Sequence, residues 1–423
     1  MEIRSIREIP LKKQLLWALG FILISAYLIS RALGGGDFDV YLSAARRLSE
    51  HGNIYSGDVV PGLNYLYSPL FALLLVPFSK LPFFVPELIW LFFSAFLLYR
   101  IWRIVAQQLN FNLLLNARET NIILFLSLGM IMRFLLSNFS MVQMNIFMLY
   151  ASLESVLLIF KGKKLTGALL LALVINIKIL PLPFIPYLIY RGEFKAAFFT
   201  LLFLLFSLFL PALILGYDYN SYLLHEWWFV INPQNKTVSM EVDNGPHSLT
   251  AFIPVLLTNT TGDMPFKRNF INLKYDQVII ILRICQLLLV ALTLYFIRTF
   301  PFKKITSPYH QFWEISYILL ITPLIFPHQQ KYAFINLFPA CAYIIFFLIV
   351  QSKKHFVDFS KRKYRLVIVL MIMVFTLTTL TTDGIIGRYL CNITQYYRII
   401  TIGTLALIIP LGLYKPNELP TTD

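Results

Sequence analysis

The chain has 423 residues, of which 58% are hydrophobic and only 13% are charged. This composition excludes an ordinary soluble domain, in which about a quarter of the residues are charged. The formal net charge of +15 would suit a nucleic-acid partner, but in so apolar a chain basic residues typically anchor the cytoplasmic side of a membrane protein, so we predict no nucleic-acid partner.

Long apolar stretches recur along the chain, with basic clusters between them. About 20 apolar residues cross the hydrocarbon core of a bilayer as a helix, and cytoplasmic loops carry the excess of Lys and Arg. With the N-terminus in the cytoplasm, the basic clusters fall on the cytoplasmic side. We therefore predict an all-α integral membrane protein of a bacterial inner membrane, whose single multispanning domain covers residues 1–423.

This topology has about twelve spans and two long loops on the outer face. The first loop, residues 34–82, includes an interfacial stretch at 68–81, and the second loop, residues 217–274, encloses a short apolar helix near 249–257. The predicted spans are 15–33, 83–105, 119–137, 141–160, 165–177, 179–190, 194–216, 275–299, 310–327, 330–351, 364–382 and 396–414.

Two carboxylates follow the first predicted span, in the stretch GDFDVY at residues 36–41. An ionisable residue at the membrane boundary is costly enough to indicate a functional site. Because Asp37 and Asp39 are two residues apart on a turning segment, we expect one to face a cavity. The other would stabilise the N–H groups of a helix that begins near Val40. The alternative is that both are helix caps or solvated loop acids.

A helix break is predicted within residues 165–190. Basic residues flank this stretch on both sides, as KGKK and RGEFK, and favour the same side of the membrane. We therefore expect two half-length helices that meet at NIKILPLP, residues 176–183, because proline disfavours a continuous helix. Lys178 would then lie near the outer surface, where it suits a phosphate or another anion. A snorkelling side chain is the alternative.

Further polar residues lie at the predicted outer turns. Gln143 and Asn145 suit sugar hydroxyls, because an amide presents both a donor and an acceptor, and they equally suit hydrogen bonds between helices. Cations in the turn PHQQKY, residues 327–332, and in a cluster at 383–389 can neutralise a phosphodiester. A solvated loop or a contact with lipid headgroups is the alternative for both groups.

Several common catalytic motifs do not occur. The sequence has no Walker loop and no HExxH or GxSxG motif, so nucleotide-driven transport, zinc proteolysis and serine hydrolysis lack support. Residues 37–39 read as DxD, a pattern that can hold the metal of a nucleotide sugar, but they face away from the cytoplasm, where nucleotide sugars occur. Two acids also fall short of the several oxygen ligands of a divalent ion. We predict no metal and no cofactor.

The stretches GGDFDVYLSAARRLSEHGNIY and YLYSPLFALLLVPFSKLP resemble the opening of glycosyltransferase family 87. That family contains polyprenyl-phosphate-mannose-dependent α-mannosyltransferases with the multispanning class C fold. Later stretches occur in a similar order, namely VQMN, NIKILPLP, NGPHSL and TPLIFPHQQ, so the resemblance runs over roughly residues 15–350. Two departures bear on the donor groove: Ser68 replaces the first proline of a Pro-Pro pair, and Val142 replaces a glycine.

The resemblance implies that Asp37 is the catalytic base and that Lys178 and His328 lie near the donor. We predict an inverting transferase that moves mannose from a polyprenyl-phosphate donor to a glycan or glycolipid acceptor, with membrane lipids as its surroundings. A lipid-linked sugar flippase or transporter, or a glycan ligase or polymerase, is the alternative. The candidates for the donor phosphate are Lys178, His328, Lys331 and Arg388, and those for the sugar are Asp39, Tyr41, Tyr67, Gln143, Asn145 and His247.

Overall fold

The computed structural model describes residues 11–56, 63–82, 84–243, 245–260, 262–297, 300–353 and 361–416. These residues form helices joined by turns and loops and no strand, and Pro246 and Gln330 form an isolated antiparallel bridge. The first ten helices are α1 (Leu11–Leu33), α2 (Asp37–Ser49), α3 (Pro69–Ser79), α4 (Val85–Gln108), α5 (Phe111–Leu114), α6 (Ala117–Ser140), α7 (Asn145–Phe160), α8 (Lys164–Ile177), α9 (Phe184–Tyr190) and α10 (Phe194–Phe209).

The second half of the chain is equally helical. A 3-10 helix (Lys331–Leu337) leads into α17, and a π-helix (Thr376–Leu380) follows α18. The remaining helices are α11 (Ala212–Leu215), α12 (Tyr217–Ile231), α13 (Lys236–Ser239), α14 (Leu249–Leu257), α15 (Tyr275–Ile297), α16 (Pro308–Ile325), α17 (Phe338–Lys353), α18 (Lys361–Phe375), α19 (Asp383–Tyr396) and α20 (Ile399–Leu413).

Within the described ranges, six segments are long and apolar enough to cross a membrane. The number rises to eight if two bent pairs of helices each count as one span: α1 with α2, bent by 52°, and α19 with α20, bent by 73°. The six segments are Val85–Gln108, Ala117–Ser140, Phe194–Leu215, Tyr275–Ile297, Lys331–Ser352 and Arg362–Leu380. Several apolar helices of this kind indicate a multi-pass membrane protein.

The predicted count of about twelve spans is not confirmed by these criteria. Three of the additional spans correspond to α7, α8 and α9, which have only 16, 14 and 7 residues. A fourth corresponds to α16, whose first turns carry the polar stretch PYHQFWE. Length and apolar composition therefore do not identify these four helices as spans. They were predicted as spans from the positions of the basic clusters that flank them.

The apolar segments differ in how deeply they are buried inside the protein. In the segment Lys331–Ser352, 89% of the apolar window is buried inside the protein, whereas in Phe194–Leu215 only 11% is buried. A helix that is apolar all round and exposes large side chains is typical of a membrane-facing helix. The segment Lys331–Ser352 is thus the core of the bundle, and its first turns carry residues of the candidate site.

The helix α2 differs from the apolar segments. It carries four charged residues among thirteen, namely Asp37, Asp39, Arg46 and Arg47, and it buries one face. This composition is typical of an interfacial helix and not of one surrounded by hydrocarbon, so we treat α2 as lying outside the spans. It packs against α3, the other helix of the first long loop.

The predicted helix break is observed. Helix α8 ends at Ile177, and α9 begins only at Phe184. Lys178 follows α8 with extended backbone angles, which carry the chain out of the helix. The second long loop contains α12, α13 and α14, and α14 covers the predicted residues 249–257.

Candidate active site

The carboxylate of Asp37 is fixed at the corner between α1 and α2. The Asp37 backbone N–H donates to the carbonyl of Met141 at 3.0 Å. Gly36 lies so close to the same carbonyl that a Cβ atom there would be 2.7 Å from its oxygen, which only glycine avoids. The corner is therefore docked onto the turn between α6 and α7.

Two side chains from distant elements reach the Asp37 carboxylate. The amide Nε2 of Gln143 donates to Asp37 Oδ2, and the hydroxyl of Tyr332 donates to the same oxygen at 3.4 Å. Gln143 is buried, and its backbone carbonyl accepts a hydrogen bond from Trp90 Nε1 at 3.1 Å. Both contacts fix the orientation of the acid, and among the described residues no hydrogen bond reaches its other oxygen, Oδ1.

The turn that presents Gln143 is strained. Val142 has a φ of 49°, in the left-handed region that favours glycine and is an outlier for a β-branched residue. This is the position where the family resemblance would place glycine. Strain of this kind costs about 1–3 kcal/mol and persists only where the surroundings enforce it. Unlike a glycine, Val142 has a side chain, which is buried and packs against its neighbours.

Two tyrosines extend the same hydrogen-bond network. The hydroxyls of Tyr41 and Tyr67 lie 2.7 Å apart, and Tyr41 donates to Gln143 Oε1 at 3.4 Å. The Nζ atom of Lys178 stands 5.4 Å from the centre of the Tyr67 ring, in cation–π geometry. The network therefore runs from the acid on α2 to the lysine at the helix break.

The break itself is held by Ser68. Its Oγ donates to Asn176 Oδ1 at 2.7 Å, and its backbone N–H contacts the Ile177 carbonyl at 3.4 Å. A proline at this position, as in the Pro-Pro pair of the resemblance, could make neither contact because it lacks both donors. The departure from the family pattern thus fixes the segment that precedes Lys178.

Asp37, Lys178 and His328 line one cavity of about 220 Å³, which we call the central chamber. Its complete lining is Asp37, Val40, Tyr41, Leu63, Asn64, Leu66, Tyr67, Lys178, Pro246, His328, Gln330 and Tyr332. Burial raises the pKa of Asp37 above its usual value, against the hydrogen bonds from Gln143 and Tyr332. Burial also lowers the pKa of Lys178 to about 8.

Two further cavities adjoin the central chamber. The apolar groove, about 250 Å³, runs past Lys178, Trp227, Ile231 and Phe326. The wide cleft, about 930 Å³, lies along the second long loop past Asn235, Glu241 and Asp243. Among the described residues, Leu66 and His328 line all three cavities. The His328 ring therefore stands at their junction.

Five predicted site residues lie elsewhere. Asp39 accepts a hydrogen bond from the Gly36 N–H at 2.9 Å, which is the capping role. Asn145 is buried and donates hydrogen bonds to Asn138 and Gln143, which agrees with the alternative that it joins neighbouring helices. The other three are outside the lining of the three cavities, and they are His247, Lys331 and Arg388.

His247 lies outside the lining of the three cavities. It is completely buried, and its backbone N–H donates to the Gln329 carbonyl at 2.8 Å. Burial, with the nearby charge of Arg398, keeps the pKa of His247 well below its usual value, which favours the neutral ring. It contributes to packing behind the turn at 327–330.

Two residues of the site were missed. Tyr332 lies in the turn PHQQKY. Its hydrogen bond to Asp37 could not be predicted, because the two residues are far apart in the sequence. Glu241 pairs with His328, with 2.8 Å between Oε1 and Nδ1, and these two residues are also far apart in the sequence. A local pattern could mark neither contact. Among the described residues no group of three or more His, Cys, Asp or Glu side chains could hold a metal ion.

The comparison with known proteins identifies the family. The model of glycosyltransferase family 87 matches residues 65–298, which is more than half of the chain. The chain belongs to glycosyltransferase family 87. No curated protein and no solved structure matches it.

Membership in family 87 supports a glycosyltransferase activity, with a sugar donor and an acceptor as its substrates. The matched segment includes Gln143, Lys178 and Glu241 but ends before the turn at 327–330 and begins after Asp37. Asp37 and His328 are thus connected to the matched segment only through the geometry of the central chamber.

Proposed function

We propose that this protein is an inverting membrane glycosyltransferase of the class C fold, which transfers mannose from a polyprenyl-phosphate donor to a hydroxyl of a glycan or glycolipid on the outer face of the membrane. One observation carries the proposal. A half-buried carboxylate and a half-buried lysine line a chamber that shares lining residues with an apolar groove and with a wide cleft.

The apolar groove suits the polyprenyl phosphate. Its wall of Leu180, Trp227, Ile231 and Ile325 offers apolar surface to an isoprenoid tail. Lys178 lies where the groove meets the chamber and supplies a positive charge to the phosphate. A lipid-linked sugar would then extend from the groove into the chamber, with its anomeric carbon near Asp37.

The wide cleft suits the acceptor. It is larger than the chamber, and Asn64, Asn235 and Gln330 provide amides that can pair with sugar hydroxyls. Its residues Asn64, Pro246 and Gln330 also line the chamber. An acceptor hydroxyl could therefore enter the chamber from this cleft. An inverting displacement requires it to approach the anomeric carbon on the face opposite to the phosphate.

Asp37 would act as the general base. It accepts the proton of the acceptor hydroxyl while the hydroxyl oxygen forms its bond to the anomeric carbon. The bond from that carbon to the phosphate oxygen breaks, and its electron pair leaves with the polyprenyl phosphate. The Lys178 ammonium stabilises this departing charge in the desolvated chamber. The proton stays on Asp37 until water removes it.

The direct test is transfer by the purified protein in lipid nanodiscs. We expect polyprenyl-phosphate-mannose to serve as donor, and the product linkage to have the opposite anomeric configuration to the donor. GDP-mannose is the matched control, which we expect to be inactive because its charged nucleotide has no place in the apolar groove. Transfer from GDP-mannose alone, or retention of configuration, would contradict the proposal.

A further inference from the structure

We propose that Glu241 is a positioning residue that fixes His328 as a hydrogen-bond donor to the phosphate of the lipid-linked sugar. This inference rests on the proposed function, and it adds a residue from the second long loop to donor recognition. The starting observation is that one buried carboxylate binds both the backbone and the ring of a histidine at the junction of three cavities.

The Glu241 carboxylate is saturated by hydrogen bonds. Its Oε1 lies 2.8 Å from His328 Nδ1 and accepts the His328 backbone N–H at 2.8 Å. Its Oε2 accepts from Thr250 Oγ1 at 2.6 Å and from Ser248 Oγ at 3.3 Å. The Glu241 side chain is only 4% exposed. A carboxylate with this many partners has one orientation, and so does the ring that it binds.

The backbone of His328 is held in an unusual conformation. Its φ of 59° lies in the left-handed region, which costs free energy in a residue other than glycine. The hydrogen bond from its N–H to Glu241 stabilises this conformation. Glu241 thus determines both where the His328 backbone lies and how its ring is turned.

The segment that carries Glu241 is joined to the His328 turn at further points. Pro246 and Gln330 form the isolated bridge, and the His247 N–H donates to the Gln329 carbonyl at 2.8 Å. The Glu241 N–H donates to the Thr250 carbonyl at 3.0 Å, which ties it to the start of α14. The second long loop therefore forms the support of the histidine.

The opposite edge of the ring is where a ligand atom is expected. Among the described residues, His328 Nε2 has no hydrogen-bond partner, although it is shielded from solvent. A ring whose Nδ1–H is bonded to a carboxylate can donate from Nε2 only when it carries a second proton. The Glu241 charge compensates that proton, and a phosphate oxygen would be the partner of Nε2.

The rival reading makes His328 a base, as a carboxylate–histidine pair often is. The two readings differ in the step that they affect. A donor to the phosphate contributes to binding of the lipid phosphate, whereas a base contributes only to transfer. A binding measurement without any acceptor therefore separates them.

The experiment measures the affinity of the purified full-length protein in detergent for farnesyl phosphate and for farnesol, which lacks the phosphate. For the wild type we expect tighter binding of the phosphate. In Glu241→Gln we expect the affinity for farnesyl phosphate to fall about ten- to a hundredfold, because a charge-assisted hydrogen bond is lost. The affinity for farnesol should stay unchanged.

Two further variants show whether Glu241 acts through His328. His328→Asn should weaken farnesyl phosphate to the same extent, and the double variant should be no weaker than His328→Asn alone. The matched control is Glu226→Gln, which disrupts a second Glu–His pair in the same loop, with His225 largely exposed and away from the three cavities. Its affinity for farnesyl phosphate should equal that of the wild type.

Three outcomes overturn the inference. It fails, while the proposed donor stands, if the wild type prefers farnesyl phosphate and Glu241→Gln keeps that preference. It also fails if Glu241→Gln lowers kcat without changing farnesyl phosphate binding, because His328 would then be the base. If the wild type itself shows no preference for the phosphate, the proposed donor and the inference fail together. If Glu241→Gln does not fold, Glu241→Asp is used instead. The shorter side chain keeps the buried charge but moves it away from His328 Nδ1, and its affinities for farnesyl phosphate and farnesol are compared in the same way.

Discussion

Burial acts in opposite directions on the two ionisable groups of the central chamber. It raises the pKa of Asp37, because the carboxylate loses its hydration, and it lowers the pKa of Lys178 to about 8 for the corresponding reason. The attraction between the two charges opposes both shifts. A base with a raised pKa is suited to proton transfer near neutral pH, and a lysine with a pKa of about 8 is still mostly charged there, as phosphate binding requires.

The pH dependence of kcat/KM should reveal both groups. The rate should rise as the pH passes the raised pKa of Asp37, because only the carboxylate accepts a proton. It should fall as the pH passes about 8, where Lys178 loses its charge. In Lys178→Arg the guanidinium stays charged, so we expect the alkaline fall to move to higher pH. An alkaline limb that is identical in both proteins would show that Lys178 does not bind the phosphate.

Single residues differ in how far the sequence reveals them. Asp37 and Lys178 stand out in the sequence because a charge at a membrane boundary or at a helix break is costly, and both line the central chamber. Their roles stay predictions. His247 and His328 could not be told apart, since both stand in polar turns and only the tertiary structure buries one of them. Glu241 could not be predicted, because its role depends on a partner far along the chain.

At the scale of elements, the short turns decide the geometry of the site. The corner before α2, the turn before α7 and the break after α8 each present one polar side chain to the network that includes Asp37. The backbone at two of these places departs from regular conformations, at Val142 and at Lys178. The helices act as the rigid support for these three turns.

Loss of the Ser68 hydroxyl should loosen the helix break. Ser68→Ala leaves the buried Asn176 carbonyl oxygen without its partner, which costs about 1–3 kcal/mol. We expect a lower melting temperature and a KM for the donor that rises more than kcat falls, because Lys178 follows two residues later. The control is Ser155→Ala, another buried serine, whose Oγ donates only to a carbonyl within its own helix, α7. Equal melting temperatures for the two variants would contradict this role of Ser68.

Elements with a strong local signal could be predicted from the sequence. The long apolar segments agree within a few residues, and α14 begins and ends where it was predicted. The number of spans could not be settled in this way, because α7, α8 and α9 are shorter than a bilayer is thick. Their place in the bundle depends on packing against neighbouring helices, which a single sequence does not specify.

At the scale of the whole molecule, three cavities of different character meet at one point. The apolar groove lies beside α12, the middle of α15 and the end of α16. The wide cleft lies along the second long loop, and the central chamber lies between α2, the break and the 3-10 helix. A lipid-linked donor and a polar acceptor need separate approaches to one reaction centre. Under the proposed function, the apolar groove and the wide cleft would serve as these approaches, and both share lining residues with the chamber that Asp37 lines.

The most direct test of Asp37 as the base compares two neighbouring acids in the polyprenyl-phosphate-mannose transfer assay. Asp37→Asn keeps the side-chain oxygen that Gln143 contacts but cannot take up a proton, so we expect transfer to be lost while the melting temperature is retained. Asp39→Asn keeps an acceptor for the Gly36 N–H, so we expect transfer close to that of the wild type. Full transfer by Asp37→Asn, or loss of transfer only in Asp39→Asn, would contradict the account.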